Sequence, residues 1–191
     1  MGWESLDAFF TYGFGLRCMD AIRPMCEIEC RPQDGLMFEE LTKAEVSLIR
    51  ELRKLQSDHM GLSPCFMYSS EEEFKSWLER AEERNSCLFV AMDGDKPIAF
   101  VEVTGIGENF VTEDHVMRNI CGAYCLPEYR GKDIYQNLLN YTIRKLQGEG
   151  YKLLGVDFES FNPTAYGFWL KYFTAYTKSV VRRIDECALR D

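Results

Sequence analysis

"PEYRGKDIYQNLL", Pro127 to Leu139, is the stretch on which the fold turns. It has the form of a tight turn that opens a helix. Tyr135, Leu138, Leu139, Ile143 and Leu146 recur at helical spacing until Gly148-Glu149-Gly150 stops them. Amides at a helix start have no partner within the helix and face the positive end of its dipole, so such a turn is a ready anion site. Asp133 and Tyr135 stand where small residues would let a phosphate come closest, while Arg130 and Lys132 supply positive charge. Asp133 either caps the helix and competes for its amides, or swings outward and leaves them open.

Before this turn the period is that of strands. "CLFVAMD" (Cys87 to Asp93), the turn "DGDK" and "PIAFVEVTG" (Pro97 to Gly105) make a hairpin, and "NICGAYCL" (Asn119 to Leu126) gives a third strand. Glu102, an acid inside an apolar strand, faces either a cleft or solvent. Further back, "GLMFEEL" (Gly35 to Leu41) is a strand that runs into a capping box, Thr42 to Glu45, with Val46, Ile49, Leu52 and Leu55 on one helical face. A second box, Ser70 to Glu73, precedes Phe74, Trp77, Leu78 and Ala81. After the turn, "KLLGVDFES" (Lys152 to Ser160) is a covered strand, Asn162-Pro163 starts a helix, and "AYTKSVVRRI" (Ala175 to Ile184) is a final strand.

The chain of 191 residues is long enough for one sizeable core, and its apolar share of 46% is that of a globular protein. No apolar run reaches the ~20 residues of a membrane span, and the first twenty residues lack the pattern of a secretory signal. A cytoplasmic location is expected, without a membrane partner. The formal charge of −9 argues against nucleic acid; it serves plain solubility first, and also suits a cationic small substrate. The eight cysteines, Cys18, Cys26, Cys30, Cys65, Cys87, Cys121, Cys125 and Cys187, are scattered and read as reduced thiols. With only two histidines, His59 and His115, the pairs Cys26/Cys30 and Cys121/Cys125 do not make a zinc site, and no metal is expected.

The order strand, two helices, three strands, helix, strand, helix, strand, with the turn at Arg130 and the Asn162 helix, resembles the GCN5-related N-acetyltransferase (GNAT) superfamily over roughly residues 35–185. The resemblance implies an α/β (α+β) fold: a mixed, mostly antiparallel central sheet flanked by helices and splayed beside its fourth strand, where acetyl-CoA lies. The family's pyrophosphate turn, Q/R-x-x-G-x-G/A, falls on Arg130, Gly131, Lys132, Asp133, Ile134 and Tyr135. A backbone amide at Cys125 or Leu126 would polarise the thioester carbonyl. The family's second signature, N-x-x-A-x-x-x-Y, falls on Asn162, Ala165 and Trp169, so cofactor contacts from Asn162 and Trp169 are implied but the usual tyrosine acid is missing. Tyr166 and Tyr172, on the same helix, are the substitutes, and Glu102 is the first candidate base ahead of Glu113 and His115. The implied activity is transfer of an acetyl group from acetyl-CoA, as co-substrate, to a primary amine of a small molecule or protein. Asp133, Tyr135 and Trp169 motivate the alternative, a non-catalytic acyl-CoA-binding sensor or interaction module.

"AFFTYGFGLRCMDAIR" (Ala8 to Arg23) can be laid over "GFWLKYFTAYTKSVVR" (Gly167 to Arg182): each runs from an aromatic helix end into a β-rich stretch closed by arginine. Residues 1–34 are therefore read either as the remnant of a preceding copy of the fold or as an N-terminal extension, and residues 35–191 as the acetyltransferase domain. Phe9, Phe10, Tyr12 and Phe14 need cover, which a strand added to an open sheet edge would give in a monomer, and strand exchange in a homodimer.

Overall fold

The computed structural model describes residues 3–83, 86–107 and 112–184, without the side chains of 3–6 and 78–83. The side chains of Leu78 and Ala81, and the whole of Cys187, thus lie outside what is described. In chain order the elements are α1 (Trp3–Thr11), β1 (Gly15–Pro24), β2 (Met37–Leu41), a 3-10 segment (Lys43–Ile49) leading into α2 (Arg50–Gly61), α3 (Glu71–Glu83), β3 (Ser86–Asp93), β4 (Lys96–Thr104), β5 (Met117–Cys125), α4 (Ile134–Gly148), β6 (Leu153–Glu159), α5 (Pro163–Tyr172) and β7 (Thr174–Val181). The seven strands form one sheet in the order β2-β3-β4-β5-β6-β1-β7. Among the described residues only the β5–β6 pairing is parallel. This is the mixed, mostly antiparallel sheet that the sequence implies.

Local chemistry sets several boundaries. Asp93 pairs with Lys96 across a turn in which Gly94 has φ +59°, a conformation glycine takes without strain. At α3, Ser70 N donates to Glu73 Oε2 at 2.7 Å and Glu73 N to Ser70 Oγ at 3.2 Å, a reciprocal capping box. The Thr42 box also forms, with Thr42 N donating to Glu45 Oε2 at 2.8 Å, but the chain then winds as a 3-10 helix rather than the expected α-helix. A 3-10 helix stacks residues three apart, and here Val46, Ile49 and Leu52 are all buried.

Register identifies the two faces of the sheet. Phe89 and Val101 are cross-strand partners on the face covered by α4, where Tyr141 packs edge-on against Phe89. Leu88 and Glu102 are partners on the opposite face, beneath Val46 and Trp77. With both faces covered, β3 and β4 are buried through most of their length.

The N-terminal segment takes a place the sequence reading does not anticipate. β1 is not on an open edge but inside the sheet, antiparallel to β6 from Cys18↔Glu159 to Pro24↔Leu153 and to β7 from Gly15↔Val181 to Ile22↔Thr174. The buried Arg23 fastens this region through carbonyls: its guanidinium donates to Cys26 O at 2.7 Å and to Tyr172 O, at the end of α5, at 3.4 Å. Of the N-terminal aromatics, Phe9 and Phe14 pack against each other with centroids 5.4 Å apart, whereas Phe10 and Tyr12 stay exposed. The connection 25–36 then runs along α4, where the buried Asn140 side chain both accepts from Ile28 N and donates to Ile28 O at 2.7 Å. None of the described helices is long and apolar enough to cross a membrane.

Candidate active site

β5 and β6 pair only where Met117, Arg118, Asn119 and Ile120 face Leu153, Leu154, Gly155 and Val156. Both strands continue, to Cys125 and Glu159, without facing each other. The gap is a cleft of about 590 Å³, lined by the parted strands, by His59 and Met60 of α2, by Tyr129, Arg130 and Gly131, and by the starts of α4 and α5.

The turn at the head of α4 resolves the choice posed by Asp133. Gly131 and Asp133 both have positive φ, +72° and +61°. Gly131 adopts this without cost, and aspartate is among the few other residues that tolerate it. The Asp133 carboxylate does not cap its helix. Its Oδ2 accepts from Arg31 Nε at 2.8 Å and its Oδ1 from Gln136 Nε2 at 3.3 Å. The hydrogen bond from Arg31 holds the carboxyl below the usual carboxylate range. The helix ladder begins with Asn137 N donating to Asp133 O, so the amides of Ile134, Tyr135 and Gln136 precede its first rung. These open amides, with Gly131 and Arg130 beside them, fit a phosphate-bearing cofactor.

Of the other residues implied as cofactor contacts, Cys125, Asn162 and Trp169 line the cleft; Leu126, Lys132, Asp133 and Ile134 lie beside it. Leu126 N is engaged, donating to Ile98 O at 2.9 Å. Since amides alternate in direction along a strand, Cys125 N points away from β4, toward the gap. Burial pushes the Cys125 thiol up to about 11. Arg130 Nε donates to Cys125 O at 2.9 Å and so also fixes the end of β5. Tyr135 turns its ring into the cleft lining, edge-on to Phe168 and Trp169, and burial raises its hydroxyl well above the ordinary range.

Asn162 is buried and caps α5, its Oδ1 accepting from Ala165 N at 3.3 Å and from Thr164 Oγ1 at 2.7 Å. Tyr172 lines the cleft, and its hydroxyl accepts from Gln136 Nε2 at 3.1 Å. Tyr166 does not line it; its ring packs on Phe158. Glu102 is also apart. It lines a separate small pocket with Leu41, Val46 and Trp77, and accepts from Ser86 Oγ at 3.1 Å. Glu113 and His115 are exposed outside the cleft, His115 beside Asp114.

The cleft gathers polar groups that the sequence reading passes over: His59, Asp157 and Glu159. Asp157 and Glu159 alternate with Val156 and Phe158, so the two acids share one face of β6. His59 Nε2 lies 3.4 Å from Thr164 Oγ1. Among the described residues no cluster of histidine, cysteine and acids is grouped to hold a metal.

Comparison with known proteins matches this arrangement. No curated protein matches the chain in sequence. In structure it is similar to a GCN5-related N-acetyltransferase from Ralstonia eutropha JMP134 (TM-score 0.59, 16% identity, 78% of this chain and 99% of that one). It is similar also to the PaiA N-acetyltransferase from Thermoplasma acidophilum, solved with coenzyme A (TM-score 0.55, 17% identity, 75% and 99%). A functionally unknown conserved protein from Staphylococcus epidermidis ATCC 12228 aligns over 92% of this chain at TM-score 0.58 and 9% identity, and this chain covers 64% of its length. The family model for the Acetyltransferase (GNAT) family matches residues 49–173, more than half of the sequence, and the chain belongs to that family.

Proposed function

We propose that this protein is an acetyl-CoA-dependent N-acetyltransferase whose acceptor is a cationic primary amine. The observation that carries this reading is the single cleft in which open amides of α4 and the parted edge of β5 meet the acids of β6. Arg130, Gly131 and the first amides of α4 would hold the phosphates, and Asn162 the pantetheine arm. When bound, acetyl-CoA supplies an activated thioester. Cys125 N is aimed where charge develops on the carbonyl oxygen. Burial keeps the Cys125 thiol protonated, which favours direct transfer to the amine over an acyl-cysteine.

Asp157 and Glu159 attract the ammonium form of the acceptor. Thr164 commits its hydroxyl proton to Asn162 Oδ1, so its oxygen accepts from His59 Nε2–H. That leaves His59 Nδ1 to take the proton the amine loses. Gln136 donates to the Tyr172 hydroxyl, leaving the phenolic proton for the departing sulfur. A second reading, coenzyme binding without turnover, draws on the bulk of Tyr135 in the cleft wall. Thiol release from acetyl-CoA, followed across di- and polyamines with neutral amines as controls, separates the two. Turnover of the cations, with KM raised about tenfold by Asp157→Asn with Glu159→Gln, supports catalysis, that factor being the loss of one modest charge-assisted contact. Micromolar coenzyme binding with no turnover of any amine supports the second.

A further inference from the structure

We infer that Arg31, on the connection between β1 and β2, is a positioning residue of the cofactor site: it neutralises Asp133 so that the head of α4 can accept a diphosphate. The inference rests on the reading of that turn as the coenzyme A site. Asp133 replaces a small residue at the point where two negative phosphates are to be held, and a bare carboxylate there repels them. The structure places one guanidinium against it, Arg31 Nε at 2.8 Å from Asp133 Oδ2.

Three features point to function rather than to fold. The Arg31 side chain is 79% exposed and that of Asp133 24%, and a pair with one partner open to solvent contributes little to stability. The connection is fastened to the same turn by neutral donors, Gln33 Nε2 to Lys132 O and Asn137 Nδ2 to Arg31 O, both at 2.8 Å, so it stays in place without the ion pair. The other donors to Asp133, the Gln136 amide and the Arg31 backbone N–H, are neutral and cannot cancel its charge. Arg31 is thus the cation in direct contact with the one acidic departure in the turn, with Lys171 of α5 acting on it only from further away, and it arrives from outside the segment that the family model matches.

The test is calorimetric titration of coenzyme A into the full chain as wild type, Arg31→Ala, Asp133→Asn and the double variant, with thermal melts of each. Arg31→Ala is expected to weaken binding about tenfold, equivalent to about 1.4 kcal/mol, with an unchanged melting temperature. Asp133→Asn should bind at least as tightly as wild type, and the double variant should recover to within about threefold of it, because the repulsion is gone. Recovery is the outcome that a structural role for Arg31 does not produce. If wild type binds no coenzyme A, the cofactor reading falls and the inference with it. If wild type binds and Arg31→Ala binds equally well, or the double variant stays as weak as Arg31→Ala, the inference alone is overturned.

Discussion

The two halves of the sheet are built on different plans. From β2 to β5 the strands pair as antiparallel neighbours, and β3 and β4 carry the deepest core, including Phe89, Ile98, Phe100 and Val101. From β6 to β7 the chain's two ends meet, with β1 between strands that follow it by more than a hundred positions, and β7 alternates between exposed and half-covered residues. Four facing pairs join the halves. A sheet that was uniformly well paired would have no gap at its centre, so the cleft exists because the joint is short and the second half is anchored from elsewhere.

The largest expected effect comes from removing the anchor. Without residues 1–24, β6 and β7 have no common neighbour. The truncated chain should lose its cooperative thermal transition by circular dichroism, and a truncated chain that melts like the parent would show that the second half stands without β1. The next effect is at the joint. A Cβ at Gly155 would overlap the buried Asn119 amide and the Met117 methyl across the pairing, so Gly155→Val should lower stability by about 2 kcal/mol in urea unfolding. An unchanged midpoint would mean that the joint yields more easily than its packing indicates.

The smallest effect is at the lip of the first half. Burial raises the Cys125 thiol to about 11, so the unfolded chain releases this proton first. Its contribution is complete below the ordinary thiol range near 9 and declines as pH rises toward 11. Cys125→Ala should flatten part of the fall in melting temperature between those values, leaving the part due to the other raised thiols and phenols, Cys87, Tyr124 and Tyr135 among them. Equal slopes would place the Cys125 thiol in contact with water.

What was legible in the sequence, in either half, was what its local signals mark. Asp-Gly between two apolar runs, the Ser70 box and the Asn162-Pro163 start each act within a few residues, and each marks a boundary in the structure. The interior place of β1 was not legible, since nothing local in Gly15–Pro24 names strands so far along the chain. The surroundings of Glu102 were not legible for a related reason. In a strand covered on both faces alternation no longer tells one side from the other, and the acid faces Ser86 and Trp77 rather than the cleft. The acids of β6 carried a readable signal, since Val156, Asp157, Phe158 and Glu159 alternate at the period of a strand.

The position of β1 also sets a timetable for synthesis. Gly15–Pro24 leaves the ribosome long before Leu153–Glu159 and Thr174–Val181 exist, so the nascent strand has both edges unsatisfied while β2 to β5 are being made. The meander can close as it emerges, but the far half must wait for late translation and then form by long-range pairing, which is slow relative to hairpin closure. Throughout that interval an aromatic-flanked strand is open to the same segment on neighbouring chains of a polysome, and the yield of correctly paired protein becomes a matter of how quickly the C-terminal strands arrive.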